Sequence, residues 1–180
     1  MIPAGPLMIE HRLIERMVAL LEKEMGRINR TNEVNAGFLL TAADFFRTYA
    51  DRCHHGKEED ILFVDLGGKN LEKEHRKIMD ELTEEHVTVR ANVRLLIGAS
   101  EKYAHGDDAA AKQILDVVDT LVSLYPAHIE KEDKHFFIPV MDYFTRKEQM
   151  DMLHRFWEFD EKLIHRVYGD IVEKFESVSE

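Results

Sequence analysis

Cysteine is nearly absent: Cys53 is the only one in 180 residues, so no internal disulfide can form and a reducing compartment is expected. Proline is scarce, with four residues, and no stretch shows the strict apolar–polar alternation of a half-buried strand. No apolar run approaches the length of a membrane-spanning helix. The N-terminus, Met1-Ile2-Pro3-Ala4-Gly5-Pro6, lacks the basic-then-apolar layout of a signal peptide, and a cytoplasmic location is the expectation. Positive charge is also short. Lys and Arg number 24 against 35 Asp and Glu, and the net charge of −11 argues against nucleic acid or an anionic membrane surface as partner.

What remains is a chain with 44% hydrophobic and 33% charged residues, the composition of one helical domain with a sizeable core. Turn residues divide it into five helical stretches. The first opens at Pro6 and runs to about residue 27, followed by a loop at Asn29-Arg30-Thr31-Asn32. The second covers about residues 34–66 and closes at Gly67-Gly68; the third covers about 71–103 and stops at Gly106. The fourth, about 109–144, is capped by Asp107 or Asp108 and contains Pro126, which predicts a kink or a break. Thr145-Arg146-Lys147-Glu148 has the form of a capping box and opens a fifth, to about residue 175. The expected architecture is all-α: an up-down-up-down four-helix bundle over residues 6–144, with an additional C-terminal helix over 145–176 that packs on the bundle or at a dimer contact.

One pattern occurs twice, 74 positions apart. It reads His54-His55-Gly56-Lys57-Glu58-Glu59 and then His128-Ile129-Glu130-Lys131-Glu132-Asp133. Each copy sets a His four residues before a Glu, which stacks imidazole and carboxylate on one helix face. The helical stripes place His11 among Leu7, Ile14 and Val18, and His54 and Glu58 in line with Phe46, Ala50 and Leu62. His75 and His86 share the stripe of the third helix, and His128, Glu132 and His135 that of the fourth. By the same straight-helix phase, His55 and Glu59 point to water or to supporting groups. His75 lies eleven residues before His86, roughly 16 Å along the axis, too far for one compact centre. His75 and His135 are therefore read as packed or supporting histidines or part of an access path, and His75, His135 and His55 as possible additional ligands.

Six inward groups remain: His11, His54, Glu58, His86, His128 and Glu132. Imidazole and carboxylate without thiolate suit iron, manganese or zinc rather than an iron–sulfur cluster or copper(I). Four imidazoles and two carboxylates exceed what one ion needs and suit two, with the carboxylates able to bridge. In the fifth helix, His154, Glu158, Glu161 and His165 form a charged face read as wet, opposite an apolar face of Leu153, Trp157, Ile164, Tyr168, Ile171 and Phe175. Cys53 is read as core packing, and Gly56 inside a helix calls for a close neighbour or a ligand path.

The pattern His11, His54-x-x-x-Glu58, His86 and His128-x-x-x-Glu132 resembles the hemerythrin-like, or HHE cation-binding, family over about residues 6–141. The resemblance implies a stand-alone prokaryotic type of member with two Fe ions bridged by Glu58 and Glu132. It implies a small-molecule ligand (dioxygen, nitric oxide or peroxide) or iron handling. Peroxidase-like scavenging, iron-cluster repair and iron storage are the alternatives, manganese or zinc could replace iron, and the assembly is monomer or homodimer. One departure stands out. Oxygen-carrying members place two histidines four apart in the third helix, whereas here Arg90 follows His86 at that spacing. That leaves an additional exchangeable position and favours sensing or redox chemistry. The cysteine-bearing domain found with repair proteins is not in this sequence, so that role does not carry over.

Overall fold

A computed structural model describes residues 2–178, with side chains through Leu163. Among them are five long helices and no strand. Helix α1 (Ala4–Thr31) runs through the expected loop at Asn29–Thr31, because Ile28 continues the core stripe and is buried. It ends at Asn32, which adopts φ 56° and returns its N–H to the Ile28 carbonyl at 2.8 Å. Asn35 then caps α2 (residues 36–67), its side chain accepting the Phe38 N–H at 3.0 Å. Helix α3 (Lys73–Ala104) closes in a Schellman motif: Gly106 takes φ 94°, Asp107 N–H reaches Lys102, and Gly106 N–H reaches Tyr103. Helix α4 (residues 110–140) passes through Pro126 unbroken and finishes in a single 3-10 turn, Met141–Tyr143.

Two helices are not plain α-helices. In α2 the backbone is π-helical over Phe46–His55 and Glu58–Phe63, and in α4 over Glu132–Phe136. A π turn takes in an extra residue, so neighbouring side chains diverge less and the stripe predicted for 3.6 residues per turn loses phase. Adjacent residues then point the same way. His54 and His55 are both buried, as are Ile61, Leu62 and Phe63, and Phe136 and Phe137.

Helix α3 packs on α4 and α2, and α1 on α4. Two apolar clusters fill the bundle. One is built from Ile14, Leu21, Phe46, Val93, Leu121 and their neighbours, the other from Leu7, Leu62, Leu82, Phe136, Phe156 and theirs. Between them lies a polar layer made by His11, His54, His55, Glu58, His86, His128 and Glu132.

Helix α5 (Arg146–Val178) starts with the capping box the sequence predicts: Thr145 N–H donates to Glu148 at 2.8 Å, and Glu148 N–H donates back to Thr145 Oγ1 at 3.3 Å. Its buried residues are Met152, Phe156 and Leu163, with Phe159 half-buried; Trp157, expected on the apolar face, is 80% exposed. The buried face is thus turned by one position from the expected one. It seats Phe159 over Gly56, where an added Cβ would come within 2.6 Å of the ring. His154, Glu158 and Glu161 are exposed, as expected of a wet face. The side chains of Ile164, His165, Tyr168, Ile171 and Phe175 lie outside the described residues.

Candidate metal centre

Each helix of the bundle delivers its polar groups to one level. Helix α1 contributes His11, α2 His54, His55 and Glu58, α3 His86, and α4 His128 and Glu132, none more than 2% exposed. They fall into two groups. His11, His54, Glu58 and Glu132 can offer atoms lying within 4.8 Å of one another, as can His55, His86 and His128. The carboxylates stand between the groups. Glu58 approaches His54 Nε2 at 3.3 Å with one oxygen and His86 Nε2 at 3.4 Å with the other. Glu132 approaches His11 at 3.1 Å and His128 at 3.3 Å.

The far side of every imidazole is held by a carboxylate. Nδ1–H of His11 donates to Asp133 at 2.7 Å, that of His54 to Glu10 at 2.9 Å, that of His86 to Glu59 at 2.7 Å and that of His128 to Glu85 at 2.8 Å. His55 has a longer contact of 3.4 Å with Asp51. Because a carboxylate only accepts, these bonds place the proton on Nδ1 and leave the Nε2 lone pair facing inward. The carboxylates are in turn held by cations: Asp133 by Arg12, Glu10 by Lys57, Glu59 and Asp51 by Arg90, and Glu85 by Lys131. Burial acts to raise Glu85, but His128 and Lys131 outweigh it and hold its carboxyl at about 2. Imidazoles braced this way keep their ring orientation and gain basicity as ligands.

The repeat in the sequence is a repeat of roles. In the first copy Lys57 holds the carboxylate that braces His54, and Glu59 braces His86 on the next helix. In the second copy Lys131 holds the carboxylate that braces His128, and Asp133 braces His11. Of the three remaining braces, Glu10 and Glu85 each directly precede a buried histidine, His11 or His86, and Asp51 precedes His55 by four. The Lys-Glu-acid string of both copies was the available signal for this outer ring, Asp51 stands on one line with His55, and Glu10 and Glu85 carried none that spacing alone exposes.

Two sequence-based placements are corrected. His55 is not solvent-facing: it is 1% exposed and stacks on His86 with ring centroids 3.9 Å apart, because the π segment turns it inward beside His54. His135 is exposed, since the π segment after Glu132 swings it off the stripe and puts Phe136 and Phe137 inside. His75 is half-buried and away from both groups, its Nδ1 bonded to the Tyr143 hydroxyl at 2.8 Å. Cys53 is half-buried, donates to Asp160 at 3.3 Å, and has its thiol pushed up to about 12 by burial first and by the nearby Glu10 and Asp160 charges.

The family model described as the hemerythrin HHE cation binding domain matches residues 5–138. The chain belongs to the hemerythrin HHE family. No curated protein and no solved structure matches it. As a hemerythrin-like domain it is a cation-binding protein, and its buried layer fits that role on chemical grounds. Nε2 of His11, His54, His86 and His128 and all four oxygens of Glu58 and Glu132 are buried without a hydrogen-bond partner. Left so, such atoms cost several kcal/mol in total. Burial first, then Glu132, pushes the Glu58 carboxyl well above its ordinary value, and burial first holds His54 and His55 well below theirs. Cations among these groups would offset the carboxylate charges and take up the Nε2 lone pairs of the imidazoles. No described helix is long and apolar enough to cross a membrane.

Proposed function

We propose that this hemerythrin-like domain is a non-haem di-iron protein that binds or senses a small molecule of the dioxygen, nitric oxide or peroxide class. The observation that carries the reading is the placement of Glu58 and Glu132, each within 3.1–3.4 Å of one imidazole from each group, Glu58 through its two oxygens and Glu132 through one. Carboxylates so placed suit bridging. His11 and His54 would hold one ion, His55, His86 and His128 the other, and Glu58 and Glu132 both. The absence of a second histidine at Arg90 is then made good by His55 from α2. The exchangeable position shifts accordingly to the side with two imidazoles, His11 and His54.

Iron supplies reversible electron transfer and affinity for diatomic ligands when bound there. The chain's own residues supply the rest. Asp133 and Glu10 keep His11 and His54 in one tautomer, and Arg12 and Lys57 pair with those carboxylates in turn. Leu7, Ile14, Phe46, Leu62 and Phe137 above and below the layer exclude bulk water. A layer this enclosed favours a resident centre over exchangeable cargo, which speaks for binding or sensing against iron storage and delivery. Elemental analysis of protein purified without oxygen or chelators tests the reading. Close to two irons per chain supports it; one zinc, or no iron after reconstitution, overturns it.

A further inference from the structure

Between α1 and α4 a cleft of about 480 Å³ is lined by Val18, Val122, Tyr125, Pro126 and Ile129, and by Asp133, the carboxylate that braces His11. Tyr125 is the unusual member. It is 1% exposed, its ring stacks on Phe46 with centroids 5.0 Å apart, and its hydroxyl has no hydrogen-bond partner. Phenylalanine would fill the same space and stack on Phe46 equally well, so packing does not account for the oxygen. Buried hydroxyls without partners are uncommon in folded proteins and call for a specific explanation.

The surroundings supply one. Tyr125 lies one helical turn before His128 on the same helix, and the charges of Asp51 and Glu132 both act on its phenol. Burial first and those two charges next hold the phenol well above its ordinary value, so it keeps its proton and is available as a donor. The cleft that Tyr125 lines reaches the brace of His11, on the side of the layer that has two imidazoles rather than three.

We infer that the Tyr125 hydroxyl donates a hydrogen bond to the small ligand held at the metal centre, and that this ligand enters through the α1–α4 cleft. The inference rests on the dinuclear reading above. Tyr125 would select ligands that keep a lone pair directed away from the metal, such as a bent diatomic molecule or a linear anion. It would discriminate against ligands that offer only an apolar end.

Azide is the probe. Iron-loaded protein and its Tyr125→Phe variant are titrated with azide and followed by visible absorption, with iron per chain and Tm measured alongside. The expected result is azide affinity about five- to tenfold weaker in the variant, the worth of one hydrogen bond, with iron content unchanged and Tm unchanged or raised. Equal affinity in the two proteins overturns the inference, as does wild-type protein that holds two irons and binds no azide. Loss of iron from Tyr125→Phe also overturns it, by making the hydroxyl a support of the metal itself. Wild-type protein that takes up no iron pair removes the dinuclear reading, and this inference with it.

Discussion

At the scale of single residues the centre depends on how each imidazole is aimed. A histidine carrying its proton on Nδ1 presents a lone pair on Nε2, and the carboxylate behind it decides which nitrogen that is. Five carboxylates perform this task here, and each is paired with a cation, so the ring of charge around the layer is locally compensated. The residue whose role changes most between sequence and structure is His55. With His86 and His128 it completes a three-imidazole group. His55→Ala should therefore release about half of the bound metal and leave the His11–His54 side loaded, given that each ion depends on its own imidazoles. His135→Ala, on an exposed side chain, should leave metal content unchanged. Elemental analysis of the two variants side by side checks both halves of this expectation.

At the scale of elements, the π segments of α2 and α4 decide which side chains reach the layer, and α5 acts on α2 from outside. Lys57 is fully buried and is held by Glu10 and by Asp160 of α5, the latter at 2.9 Å. The last helix is thereby linked through Lys57 and Glu10 to His54. The same contact explains Gly56, which gives up helix propensity so that Phe159 can lie against the backbone. Gly56→Ala should destabilise the protein by about 1–3 kcal/mol through overpacking, as measured by urea unfolding, and Phe159→Leu in the same chain should recover part of that loss.

The start of α5 carries a pH signature. Glu148 is pulled from 4.5 to about 2 by Lys69 first and then by the Thr145 N–H and hydroxyl. A carboxyl whose folded value is depressed stabilises the fold when charged. Its contribution is full above about 4.5 and fades as pH falls towards 2. Glu148→Gln should therefore lower Tm at pH 7 and flatten the acid limb between pH 4.5 and 2 relative to wild type. An acid limb of unchanged slope in the variant would show that the cap carries no charge-dependent stability.

At the scale of the whole molecule, the bundle is two apolar clusters joined through a polar layer, an arrangement that metal binding completes. Binding to the folded state alone stabilises it by about 4 kcal/mol at a thousandfold excess over Kd. Iron-loaded protein should accordingly melt well above the chelator-treated form, with Tm rising further as metal concentration increases. Calorimetry on the two forms provides the check, and coincident Tm values would mean the layer does not hold metal in the folded protein. The net charge of −11 also favours retention of cations near the surface.

The sequence by itself determined the helices, most of their ends and the main members of the polar layer. Helix periodicity, the capping box at Thr145–Glu148, the Gly106 stop and the i,i+4 pairing of His54 with Glu58 and of His128 with Glu132 are local properties, set within a few residues of chain. His55, His135 and Trp157 were decided only in the tertiary structure. The π turns of α2 and α4 change the angular phase of the residues around them, and a phase read from 3.6 residues per turn cannot follow that change. Glu10 and Glu85 came to light the same way, because each is defined by the histidine it meets across the bundle. Each of those contacts joins different helices or follows a π turn, so it exists only once the helices have packed.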